Sequence, residues 1–122
     1  MSEPNNFNKP NTEKLAKLEP KKLKADEVAF VLRAIKDIRS EEALIIYRQW
    51  YDQEYQRMVK NEISLGQFNW DVAQLQISAG YYKEAVDTLN DIADVAWKGR
   101  DDALVDMCNE EIDRINRISK NP

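Results

Sequence analysis

The residues best placed to do chemistry are carboxylates and phenols, because the chain of 122 residues contains no histidine. Glu84, Asp87, Asp91 and Asp94 recur at i, i+3, i+7 and i+10, a spacing that lines them along one face of a helix. Asp102, Asp106, Glu110 and Asp113 form a second line further on. Clustered carboxylates can ligate a hard cation such as magnesium or calcium. These spacings match no calcium loop, however, and no histidine completes a dimetal site, so neither a metal nor a cofactor is expected. The lines suit an electrostatic role instead: a solvated outer face, or a dock for a basic protein surface of the kind that handles nucleic acid. Tyr47, Tyr51 and Tyr55 at i, i+4 and i+8 are the second constellation, with Trp50, Arg48 and Arg57 nearby. Such rings either pack between helices or present the aromatic and arginine surface on which binding energy concentrates.

The same inventory argues against catalysis. Without histidine the commonest general base is missing and the usual serine or cysteine triads cannot be assembled. Gly66, Gly80 and Gly99 stand far apart, so no phosphate-cradling or dinucleotide-binding loop is present. Cys108 falls on an apolar stripe, where burial raises the thiol pKa and leaves it inert. No enzymatic activity is expected.

Composition places the chain among ordinary soluble proteins, at 43% hydrophobic and 33% charged residues. No apolar run approaches the roughly 18 residues of a membrane span, and the start shows no secretory leader. A lone cysteine fits a reducing compartment, so a cytoplasmic location is expected. Charge is unevenly spread: residues 1–25 carry six lysines against three glutamates, and the remainder 12 basic against 19 acidic side chains. An acidic body repels phosphates, which disfavours direct nucleic-acid binding by the folded part and favours a partner protein with a basic surface.

The elements that must position these residues are helices. Residues 1–19 are polar, Asn-rich and broken by Pro4 and Pro10, and read as a flexible basic tail; Thr12 to Glu19 has the pattern for one short helical stretch. Residues 20–122 read as a single all-helical domain, with Pro20 suited to a first helical position. Val28, Val31, Leu32, Ile35 and Ile38 define a first helix over about 21–38, with Asp26 as a candidate N-cap. Ser40 followed by Glu41 and Glu42 starts a second over about 41–61. The third, about 65–79, is apolar on two sides: Leu65, Phe68, Val72, Leu75 and Ala79 on one, Trp70, Ala73 and Ile77 on the other. Gly80 ends it, and Tyr82, Ala85, Val86, Leu89, Ile92, Ala93, Ala96 and Trp97 mark a fourth over about 82–97. Asp101 or Asp102 caps a fifth over about 101–118, whose single stripe of Leu104 or Val105, Cys108, Ile112 and Ile115 suits the end of a stack.

A hairpin pattern recurs within these helices. Ala43, Tyr47 and Trp50 repeat the order of Ala85, Leu89 and Ile92 at an offset of about 42 residues, within the range of stacked helical repeats. The segment from Trp70 to Ile92 resembles a tetratricopeptide-type repeat: Trp70 near the aromatic start, Ala73 at a small-residue position, Gly80 in the turn, and Tyr82, Ala85 and Leu89 in the second helix. The earlier copy, Asp26 to Met58, departs from it, with Ile38 in place of the turn glycine, a longer second helix and no proline at the repeat end. The resemblance implies a short stack of antiparallel helical hairpins, alternatively a five-helix bundle. It also implies a non-catalytic binding scaffold, an interaction module or small adaptor. The alternative expectation is an acidic inhibitor of a basic, nucleic-acid-handling protein. Homodimerisation through a leftover apolar face of the first or second helix is compatible with either.

Overall fold

The structure is a computed structural model and describes residues 22–35, 37 and 39–120. The flexible tail and short helical stretch expected before residue 20 lie outside the described residues, as do Pro20 and Ile38. The described residues form an all-α bundle of five helices: α1 Ala25–Ala34, α2 Glu41–Val59, α3 Leu65–Ala79, α4 Tyr82–Lys98 and α5 Asp102–Lys120. α1 packs on α2 and α3, α2 on α3, α3 on α4 and α4 on α5. Among the described residues none of these helices is long and apolar enough to cross a membrane.

Local chemistry sets most of the boundaries. Ser40 and Ser64 cap α2 and α3 by accepting Ala43 N–H at 3.2 Å and Gln67 N–H at 3.0 Å, satisfying donors that a helix start leaves unpaired. Asp101 does the same for α5 through Leu104 N–H at 3.2 Å. Gly80 takes the left-handed conformation at φ 86° that closes α3, where a side chain would be strained. Asn61, also left-handed at φ 63°, lies just past the end of α2.

The first helix is shorter than its periodicity predicts, running 25–34 rather than 21–38. At its start Gln53 of α2 grips the extended backbone of Leu23 twice: Leu23 N–H donates to Oε1 at 2.8 Å and Nε2 donates to the Leu23 carbonyl at 2.9 Å. That clamp holds the entry strand out of helical geometry, and Asp26 falls in the first turn rather than at the N-cap. At its end Ile35 is extended, and Asp37 then organises a turn, accepting Arg39 N–H at 3.0 Å through its side chain. Val31, expected on the buried stripe, is exposed, and Phe30 stands on the outer surface, 77% exposed. Trp97, expected on the apolar band of α4, is likewise 69% exposed: in the last turn of that helix Ala96 faces inward and Trp97 faces solvent.

The buried side chains fall into two clusters that meet at α3. Phe68, Val72, Leu75 and Ala79 pack against Val28, Ala29 and Leu32 of α1 and against Ala43 and Trp50 of α2. Ala73 and Ile77, with half-buried Trp70, pack against Ala85, Leu89 and Ile92 of α4 and Cys108 and Ile115 of α5. The helix with two apolar faces is therefore the middle layer, as its pattern requires. Ala43 and Ala85 are both fully buried, one in each cluster. A polar tie adds to the second half: Gln74 of α3 donates to Glu111 Oε1 at 2.8 Å, and Arg114 holds the same carboxylate at 2.9 Å. Leu75 and Leu89 are each essentially inaccessible, one in each cluster. Truncating either to alanine should cost about 3 kcal/mol. Because both clusters share α3, each substitution should move one common transition in urea. Separate transitions for the two halves would show that α3 does not couple them.

Candidate functional site

A groove of about 690 Å³ lies over α3 between α2 and α4. Its floor is the stripe Leu65, Asn69, Val72 and Gln76 on α3, spaced at i, i+4, i+7 and i+11 so that all four share one face. Tyr47 and Tyr51 of α2 form one wall, and Thr88, Asp91, Ile92 and Val95 of α4 the other. The groove exists because α2 and α4 occupy opposite flanks of α3. Its lips are apolar and wet, with Leu65 59% and Val95 71% exposed. Two carboxylates, Asp91 and Asp101, line it, and none of its lining residues is cationic.

The aromatic wall is rigid. Tyr47 and Tyr51 stand with ring centroids 6.0 Å apart. Tyr51 and Tyr55 both meet buried Phe68 edge to face, at 5.1 and 6.0 Å, which fixes their orientation. The polar floor is a short chain of hydrogen bonds. Thr88 Oγ1 donates to Gln76 Oε1 at 2.7 Å, with the Glu84 carbonyl 3.0 Å away as the alternative acceptor. Gln76 Nε2 reaches the Tyr47 hydroxyl only at 3.5 Å, at the limit of a useful bond.

The structure brings together three of the residues singled out from the sequence: Tyr47, Tyr51 and Asp91 all line this groove. Tyr55 extends the wall beyond it, partly exposed. Glu84 lies half-buried near Tyr47 and Tyr81. Asp87 and Asp94 are solvated, and Asp94 pairs with Lys98 at 3.3 Å. Asp102 lies instead beside Trp97 and Arg100 at a separate shallow recess, and Asp106 is exposed on α5. The four-carboxylate line thus divides between the groove and open solvent, and among the described residues no three candidate ligands gather around one point. Cys108 is fully buried in the second cluster, where desolvation pushes its thiol pKa up.

Compared with known proteins, the chain matches no protein-family model, no curated protein and no solved structure. The site is therefore read from its own geometry. Sequence reasoning missed Leu65, Asn69, Gln76, Thr88 and Val95 as groove residues. One signal was present: Gln76 interrupts the apolar run Leu75 to Ile77, and an amide there must find partners inside.

Burial is the main cause that pushes the Tyr47 phenol up to about 12, with smaller contributions from Tyr51, Tyr81 and Glu84; the Gln76 amide opposes it. A folded-state pKa above the ordinary value of 10.0 means the neutral phenol is favoured by folding. Its stabilising contribution is complete below pH 10 and is lost as pH rises towards 12. Alkaline titration of stability should therefore show a decline in that window that Tyr47→Phe reduces, read by circular dichroism alongside tyrosinate absorbance. Identical declines in both proteins would remove Tyr47 as its source.

Proposed function

We propose that this chain is a non-catalytic protein-interaction module, built from two antiparallel helical hairpins and a closing helix, that binds a segment of a partner protein in the groove between α2 and α4. The observation that carries this reading is the combination of rigid tyrosine wall, exposed aliphatic lips and carboxylates without cations in one concave surface. Aromatic rings held by their neighbours give contact area at little entropic cost, and an apolar patch rimmed with charge is what a docking site needs. The two-sided packing of α3 and the alignment of Ala43 with Ala85 support the helical-repeat reading.

The acidic side of the groove favours a partner segment that carries lysine or arginine. A purely electrostatic role, mimicry of nucleic-acid phosphate by the carboxylate line, has less support, because Asp94 pairs with Lys98 and only Asp91 of the line reaches the groove. The two readings differ in their response to salt: an apolar groove with a few flanking charges loses affinity modestly, whereas a charge-only dock loses it steeply.

Val95 supplies the cleanest test, since it is 71% exposed and its replacement leaves the core intact. Val95→Glu should change stability by no more than about 0.5 kcal/mol. Affinity purification from the native source with wild-type and Val95→Glu protein should yield partners that only the wild type retains. Recovery of the same set by both proteins would rule out the groove as the binding surface.

A further inference from the structure

The geometry points to a specific occupant for this groove: a left-handed polyproline II segment of a partner protein, with a lysine or arginine at one end. This rests on the proposed peptide-binding role of the groove and adds the conformation that it selects.

The first argument is hydrogen-bond supply. Asn69, half-buried on the floor, makes no side-chain hydrogen bond to any described residue. The Gln76 Nε2 donor has only the long contact of 3.5 Å to Tyr47. Two amides thus line the groove with donor capacity that the fold does not fully use. An α-helical ligand offers no free backbone acceptors along its side, because its carbonyls are spent internally. A polyproline II segment has no internal hydrogen bonds, so all its carbonyls are free.

The second argument is spacing. Seven residues separate Asn69 from Gln76 on one face of α3, which places them about 10.5 Å apart along the helix axis. One turn of polyproline II, three residues, advances about 9.3 Å and returns carbonyls to the same side. An extended β-strand alternates sides with every residue, so carbonyls about 10 Å apart, three residues on, point opposite ways. The amide pair therefore fits the threefold repeat and not the twofold one.

The third is the wall. Tyr47 and Tyr51 present ordered rings along the groove, and proline-rich ligands dock on aromatic surfaces of this kind because their backbone loses little freedom on binding. Asp91, exposed on the opposite wall, and Asp101, just past the end of α4, make the groove acidic with no cation among its lining residues, which favours a cationic side chain on the ligand.

The test uses the full chain and two synthetic probes of equal charge: an oligoproline octamer with two arginines at one end, and an amphipathic basic helix. Binding is followed by amide and side-chain chemical shifts in NMR titrations. The octamer should shift the Asn69 side-chain amide and the Tyr47 and Tyr51 signals. Asn69→Leu should weaken it about fivefold, the effect of one lost hydrogen bond, and Asp91→Lys should weaken it further in low salt than in high. Exchanging the arginines for glutamates should abolish binding. Groove shifts with the helix but none with the octamer would overturn the polyproline assignment while leaving the peptide-binding role standing. Shifts with neither probe would overturn the assignment as well, and Val95→Glu pull-downs would then judge the broader role alone. Octamer binding that Asn69→Leu leaves unchanged would also overturn it, since the amide repeat is its basis.

Discussion

A helix that must bury two opposite faces imposes more on this molecule than any other constraint. Phe68, Val72, Leu75 and Ala79 on one side of α3 and Ala73 and Ile77 on the other cannot both be satisfied by a single neighbour. Helices therefore have to approach from two directions, and they come as α1 with α2 and as α4 with α5. The two pairs never merge into one core. The α2–α4 flank, which neither pair closes, leaves the Leu65–Gln76 stripe of α3 as a floor with walls, so the groove follows from the same requirement that makes the stack.

The two ends of the stack are handled differently. At the far end α5 turns an apolar stripe inward, burying Cys108 and Ile115, and its outer face is mostly polar, with Met107 and Ile118 exposed. At the near end α1 is short, and Phe30 stands on the solvent side. The Gln53 clamp on Leu23 compensates in part: it joins the incoming chain to α2 by two hydrogen bonds and places Leu23 against the first cluster. Beside it Glu54, buried, accepts from Arg57 at 2.8 Å and from the Gln53 amide at 3.0 Å, so each of its oxygens has a partner within the fold.

Much of the fold was legible because its signals are local. Ser40, Ser64, Gly80 and Asp101 mark boundaries through side-chain or backbone geometry that does not depend on distant residues, and the elements they delimit fall where the pattern puts them. The first helix was misread because its limits are set by Gln53, thirty residues away, and by the Asp37 turn, neither of which alters hydrophobic periodicity. The site was legible only in part for a related reason. Tyr47, Tyr51 and Asp91 announce themselves by type and spacing, but which face of α4 looks into the groove depends on how α4 rests on α3. Helical spacing alone treats Asp91 and Asp94 as members of one line, and only packing sends one to the groove and the other to Lys98.

The polar floor bears most directly on what the groove is for. A leucine at position 76 would contribute apolar burial next to Val72 and Tyr47, whereas glutamine must recover the cost of desolvating an amide. It does so incompletely, with one good bond from Thr88 and one long one to Tyr47. Tyr81, packed against the same Tyr47 ring at 6.5 Å, buries a hydroxyl with no hydrogen-bond partner among the described residues. Polar groups that a fold leaves under-satisfied weaken it unless something else completes them. Elsewhere the protein completes its buried polar groups, as Glu54 and the Gln74–Glu111–Arg114 set show. The shortfall among the described residues is thus local to Tyr47 and its neighbours, beside the floor on which the proposed ligand would lie.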